Sequence, residues 1–246
     1  MKAFLPVVCA LFLWSGSAAA QSPTDPPRDI TVSGGVTAVS DYRFRGISHS
    51  DRRPAVQGGV TVDHVSGVYA RVWGSSIHDY VAGNAPAEID LSAGYRRSFG
   101  GATVDAGVLY YLYPDAGAAA SDFLEPYASV AYTLGPVTAK LGATYAPRQS
   151  ALSVGRGRED NLYLSGDLSG FVPGTPVTVA AHLGHNSGPT QLGLADDYTD
   201  WSLAANYTVR DLTFGLAYVD TDARVRTPRG RNAAGAGVVA SVAFGF

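Results

Sequence analysis

The chain has 246 residues, 46% hydrophobic and only 16% charged, with 29 Gly, 14 Tyr and a net charge of −3. So few charges beside so many aromatics exclude a disordered chain, and a mean hydropathy of +0.04 excludes a bundle of membrane-spanning helices. The absence of a basic surplus argues against a nucleic-acid partner.

Residues 1–20 carry Lys2, an apolar stretch from Ala3 to Trp14 and the small residues Ala18, Ala19 and Ala20. That is the layout of a secretory signal cleaved near Ala20, too short in its apolar part to serve as a spanning helix. Cys9, the sole cysteine, falls in that segment, so the exported chain has neither disulfides nor thiolate chemistry. Residues 21–29 form a Pro-rich lead-in, and residues 30–246 read as one domain.

Strict alternation begins in residues 29–42, where Ile30, Val32, Val36, Ala38 and Tyr42 share one face and Thr31, Ser33, Thr37 and Asp41 the other. Similar runs follow at 55–64, 68–75, 87–97, 102–113, 124–132, 137–145, 161–169, 177–185, 200–208, 212–220 and 237–246, which makes twelve strands. Short turns alternate with long connections at 43–54, 76–86, 114–123, 146–160, 186–199 and 221–236. An all-β, antiparallel up-and-down barrel of the outer membrane has this pattern. Aromatics of the apolar face support it, because they sort to the strand ends: Tyr42, Tyr110, Tyr145, Trp201 and Tyr218 near the long loops, and Tyr95, Tyr132, Tyr207, Phe244 and Phe246 near the short turns. The chain is therefore expected in the outer membrane of a Gram-negative bacterium, in contact with its lipid.

The opposite face would line the lumen. It offers the selectivity candidates Arg71, Glu88, Asp90, Arg96, Asp105, Lys140, Asp167 and Asp200, together with Asp63, Glu125 and His182. Such a lining either selects ions, with more acids than bases, or pairs across a narrow lumen and fills it. Twelve strands lie between barrels that side chains fill and barrels with an open channel. Inward Tyr69, Trp73, Tyr111, Tyr113 and Tyr163 either form a stacking track or occupy space.

Arginine concentrates in the long loops: Arg43, Arg45, Arg52 and Arg53, then Arg148, Arg156 and Arg158, then Arg224, Arg226, Arg229 and Arg231. These residues are expected at the extracellular mouth, either capturing an anionic solute or contacting lipopolysaccharide and pairing with Asp51, Glu159, Asp160, Asp220 and Asp222. Catalysis is not expected. G-x-S-x-G is absent from the sequence, His182 and His185 face opposite sides of one strand, and His49 and His78 are expected to be solvated in loops. No cofactor and no metal are expected.

The words Val39-Ser40-Asp41-Tyr42-Arg43-Phe44-Arg45-Gly46-Ile47-Ser48, Pro54 and Gln57-Gly58-Gly59 resemble the opening signature of the TorF family of outer-membrane porins. The resemblance continues through residues 67–75, through Glu88-Ile89-Asp90-Leu91 with Gly94-Tyr95, and through residues 107–111 with Tyr113-Pro114. It is specific over about residues 30–114 and implies a pore for passive diffusion of small polar or charged solutes. That family's pattern has a small residue where this chain has Arg71, beside Trp73, implying a narrower or more anion-attracting lumen. Terminal Phe246, with Phe244 and Val242, is similar to the signal by which such barrels engage the barrel-assembly machinery. The other reading is a plugged structural barrel, decided by whether loops such as 43–54 or 146–160 fold inward.

Overall fold

A computed structural model of the chain describes residues 29–117, 121–153, 158–188 and 197–246. Residues 1–20, expected to be a secretory signal, nearly all of residues 21–29 and Arg156 lie outside the described residues.

Twelve strands close into one antiparallel barrel: β1 (Ile30–Val39), β4 (Ala55–His64), β5 (Val68–Ser76), β6 (Ala87–Phe99), β7 (Ala102–Leu112), β8 (Phe123–Leu134), β9 (Val137–Gln149), β10 (Glu159–Phe171), β11 (Val177–Ser187), β12 (Tyr198–Val209), β13 (Leu212–Thr221) and β14 (Gly237–Gly245). Two further strands of two residues, β2 (Arg43–Phe44) and β3 (Ile47–Ser48), form a hairpin of their own in the first long loop. Each barrel strand pairs with its sequence neighbours, and β1 pairs with β14 in register Gly35 to Gly245 and Val39 to Ser241. Closure leaves no strand edge with unpaired backbone groups, the condition for crossing hydrocarbon. Phe246 completes the seam, its backbone exchanging hydrogen bonds of 2.9 and 3.0 Å with Gly34.

The outer face is the apolar one. Val72, Leu91, Val108, Leu141, Leu164, Val179, Leu203 and Leu216 are all exposed there. Tyr110, Tyr145, Trp201 and Tyr218 stand outward towards the long loops; Tyr95, Tyr132, Tyr207, Phe244 and Phe246 stand outward towards the short turns, joined by Phe99, Phe171 and Phe214. An aliphatic belt between two aromatic girdles is the surface of a transmembrane barrel.

Tyr42 departs from this pattern. The first strand stops at Val39, three residues before its alternating run ends, and a bend at Ser40 and Asp41 turns Tyr42 into the barrel, where it is 2% exposed. Strand pattern alone could not report that bend, because the alternation continues through it.

Candidate functional site: the lumen and its inserted loop

The lumen's two walls differ in chemistry. Inward positions of β5 to β11 carry Tyr69, Arg71, Trp73, Glu88, Asp90, Arg96, Asp105, Tyr111, Glu125, Tyr127, Lys140, Tyr163, Asp167 and His182. Inward positions of β12, β13, β14, β1 and β4 carry Ser202, Ala204, Asn206, Gly215, Ala217, Ser241, Ala243, Thr37, Gln57 and Thr61, with Asp200 near the long-loop rim and Asp63 near the short-turn rim.

Across the long-loop half of this space lies the loop between β1 and β4. At its tip, Arg45 and Gly46 have φ of 45° and 81°, the left-handed pair that a two-residue hairpin turn requires. Gly46 is needed for space as well: a Cβ there would stand 2.8 Å from the Asp200 Cβ and 2.9 Å from the Thr221 Cβ, so the tip presses against β12 and β13. Asp41 ties the root, receiving Arg43 Nε at 2.6 Å and the Ser48 and Ser50 hydroxyls at 2.6 and 3.1 Å. Arg43 Nη1 donates to the carbonyls of Gly46, Ala233 and Gly235 at 2.9 to 3.1 Å, joining this loop to the last one.

Arg45 spans to the opposite wall. Its Nη2 donates to both oxygens of Glu125 at 2.9 and 2.8 Å, and its Nη1 to the side-chain oxygens of Asn161 and Asn186, each at 3.2 Å. The guanidinium lies 4.8 Å from the Phe44 ring centre and 4.3 Å from that of Tyr163. Both side chains of the Arg45–Glu125 pair are 0% exposed. Arg43 and Arg45 therefore do not stand at the mouth with the other loop arginines. An aromatic residue flanked by cations, with no water to face, folds where carboxylates and ring faces receive it.

Glu88 holds the other side of the hairpin. Its oxygens accept from the Tyr42 hydroxyl at 2.7 Å and the Tyr113 hydroxyl at 3.2 Å, and lie 3.3 Å from His49 Nδ1. His49, expected in solvent, is stacked on Phe44 with ring centres 5.0 Å apart. Tyr80, from the loop between β5 and β6, donates to the Ser48 carbonyl, and burial pushes its phenol up to about 12, so it remains a donor throughout the neutral range.

Nearer the short turns, the charges pair among themselves. Arg96 bonds Asp63 at 3.0 Å, lies 3.9 Å from Asp105 and covers the Tyr69 ring, whose hydroxyl donates to Asp105 at 2.7 Å. His182 sits between Asp167 at 2.7 Å and Asp200 at 3.2 Å, with the Tyr163 hydroxyl 2.9 Å away. Gly184 seats that tyrosine, since a Cβ there would collide with the Tyr163 hydroxyl. Lys140 faces Asp167 in register. Arg71 makes no direct ion pair among the described residues, and one Asp90 oxygen is buried there with no hydrogen-bond partner. His185 points outward, as its spacing from His182 predicts.

At the rim, Arg52, Arg53, Arg148, Arg158, Arg224, Arg226, Arg229 and Arg231 are exposed. Buried Asp51 gathers three of them, with Arg229, Arg231 and Arg53 at 3.6, 3.7 and 3.8 Å, while Arg148 lies 3.8 Å from Asp160. Between the hairpin root and the small-residue wall remains a cavity of about 50 Å³, bordered by Asp41, Arg43, Gln57, Ala204, Asn206 and Ser241. Gln57 Oε1, Ser202 Oγ and Asn206 Nδ2 on this wall are buried with no partner among the described residues. A cavity of that size holds water where polar groups border it, as Gln57 and Asn206 do here.

Sequence reasoning leaves open whether this loop folds inward and places Arg43 and Arg45 at the mouth. The signals for the inward fold are Phe44 and Ile47, two apolar residues within this loop, with Gly46 between them to make the turn.

Among solved structures, the chain is similar to the NanC porin, at 15% identity and a TM-score of 0.59, covering 87% of this chain and 98% of that one. It is also similar to the KdgM porin, at 8% identity and a TM-score of 0.57, covering 88% and 99%; the same porin matches at the same values in complex with disordered oligogalacturonate. At such identities the likeness is one of fold. A search of curated proteins found no match. Residues 20–244 match the profile of the family described as "Bacterial protein of unknown function (Gcw_chp)", and the chain belongs to that family.

Proposed function

We propose that this barrel is an outer-membrane channel for passive diffusion of small polar or charged solutes, constricted by its own first loop. The observation that carries this reading is the wall of Gly, Ala, Ser and Thr on β12, β13, β14, β1 and β4, with polar atoms at Gln57, Ser202 and Asn206 that have no partner among the described residues. A barrel filled for rigidity would pack large side chains there. The fold shared with porins agrees with the reading, as does the TorF-family resemblance of residues 30–114. Arg71, Glu88, Asp90, Arg96, Asp105, Lys140, Asp167 and Asp200 would set the lumen's preference, and the surplus of acids favours cations.

In the same reading, residues 1–20 direct export and are removed near Ala20, and Val242, Phe244 and Phe246 engage the barrel-assembly machinery. The long loops face outward from the cell, where the exposed rim arginines contact lipopolysaccharide phosphates. Single-channel recording of the refolded mature chain in a planar bilayer under a salt gradient tests the proposal. Open steps with a cation-selective reversal potential are expected. Silence from a folded barrel would favour the plugged structural reading, for which the fully buried Arg45–Glu125 pair is the supporting observation.

A further inference from the structure

The residues that receive Arg45 belong to three strands and make a site in their own right. Glu125 on β8 offers two oxygens and Asn161 on β10 and Asn186 on β11 one each, while the Tyr163 ring forms a floor. The orientation of Asn161 is fixed, because its Nδ2 donates to the Ser187 carbonyl at 2.8 Å and leaves Oδ1 aimed into the lumen. Tyr163 is fixed by Asp200 at 3.0 Å and by the clearance at Gly184. A carboxylate fork, two acceptors and an aromatic face suit a planar guanidinium better than a spherical ammonium.

The occupant sits on a backbone that disfavours it. Arg45 takes φ of 45° at a turn position where Gly, Asn or Asp would be at ease. An arginine held there is present for its side chain, and the wall it reaches presents its acceptors from three strands of the barrel.

We propose that Glu125, Asn161, Asn186 and Tyr163 form a guanidinium-binding subsite of the lumen, which Arg45 occupies as a tethered ligand while the first loop is docked. Resting on the channel reading, this deepens it: a solute bearing a guanidinium group competes with Arg45 for the subsite and frees the passage that the hairpin obstructs. Binding to the subsite itself does not require that current flow.

The test uses full-length mature Arg45→Ala and the double variant Arg45→Ala/Glu125→Gln, each refolded in detergent and checked by heat-modifiable migration. Calorimetry with methylguanidinium, and with methylammonium as control, reads the site directly. Saturable binding of methylguanidinium to Arg45→Ala is expected, roughly tenfold or more weaker in the double variant and in the wild type, where Arg45 fills the site. A folded Arg45→Ala that does not bind it, or binds no better than the double variant, overturns the proposal. Should Arg45→Ala fail to refold, refolding in methylguanidinium becomes the reading: restoration that methylammonium does not give supports the site, and its failure overturns it. Bilayer recording separates this from the channel reading. Binding by Arg45→Ala without currents in any variant sinks the channel and leaves the site, whereas currents without binding do the reverse.

Discussion

Replacing Glu125 by glutamine keeps the side chain's shape and removes the charge that receives both Nη2 hydrogen bonds of Arg45. Both side chains are 0% exposed, so no solvent screens the loss. Breaking a buried pair by neutralising one partner costs about 3–5 kcal/mol. The Asn161 and Asn186 oxygens remain as acceptors, which places the expected cost near the lower limit. About 3 kcal/mol, at roughly 1.4 kcal/mol per tenfold, raises the undocked population of the loop about a hundredfold. The barrel should survive, because its interstrand ladder does not pass through this pair. Trypsin reads the change: Arg43 and Arg45 are buried when the loop is docked, while Arg224 in the last loop is exposed in either state. Where opening and closing are fast, cleavage tracks the open population. Cleavage after Arg45 should therefore accelerate about a hundredfold in Glu125→Gln, with cleavage after Arg224 unchanged and channel conductance increased. Equal cleavage rates after Arg45 in variant and wild type would refute the assignment of Glu125 as the residue that holds the loop.

The other predictions probe the same loop, the belt and the lumen. Gly46→Ala combines a φ of 81° with Cβ contacts at 2.8 and 2.9 Å, and should weaken docking by about 1–3 kcal/mol, seen as faster trypsin cleavage after Arg43. Arg45→Asn suits the turn backbone better; if it left the loop as protected as before, the side-chain account of Arg45 would fall. Leu203→Arg places a cation at the middle of β12, where the wild-type side chain is exposed to lipid, and should cost about 2–4 kcal/mol in urea unfolding from vesicles. Arg71→Ala should raise conductance or move the reversal potential towards stronger cation preference, and an unchanged channel removes Arg71 from the selectivity candidates.

The barrel was legible because lipid imposes one simple rule on every strand, apolar outward at every second residue, and the sequence obeys it from Ile30 to Phe246. Strand ends at the short turns fell close to their expected positions for the same reason, as in β4 at 55–64. The lumen obeys no such rule. Whether Asp63 pairs with Arg96 across β5, or His182 reaches both Asp167 and Asp200, depends on the register of three successive strands. The first loop was the least legible element, since Arg43 and Arg45 in a polar stretch read as a solvated rim. What holds them inward is the Glu125 carboxylate with Asn161 and Asn186 for Arg45, and the Ala233 and Gly235 carbonyls for Arg43, acceptors that the folded barrel brings within reach. Phe44 adds an apolar contact to the docked loop, its ring packing on His49 and against Tyr111.

The placement of this loop follows from the division of the lumen. It is rooted after β1, in the half lined by small neutral residues, and its arginine reaches the half that carries the acids. A hairpin whose root and tip were both bound to one wall would leave the passage open. Anchored at Asp41 and latched at Glu125, it is a strut across the lumen. The two attachments differ in what releasing them requires. At the root, Asp41 is bonded to residues of the same loop, Arg43, Ser48 and Ser50, and Arg43 and Ser48 tie that cluster to Ala233 and Gly235 of the last loop. At the tip, the partners are fixed to β8, β10 and β11, so any movement that widens the passage must separate Arg45 from them. The free energy of that separation, together with that of the Arg43 bonds to the last loop and the Tyr42 bond to Glu88, sets the population of the undocked loop.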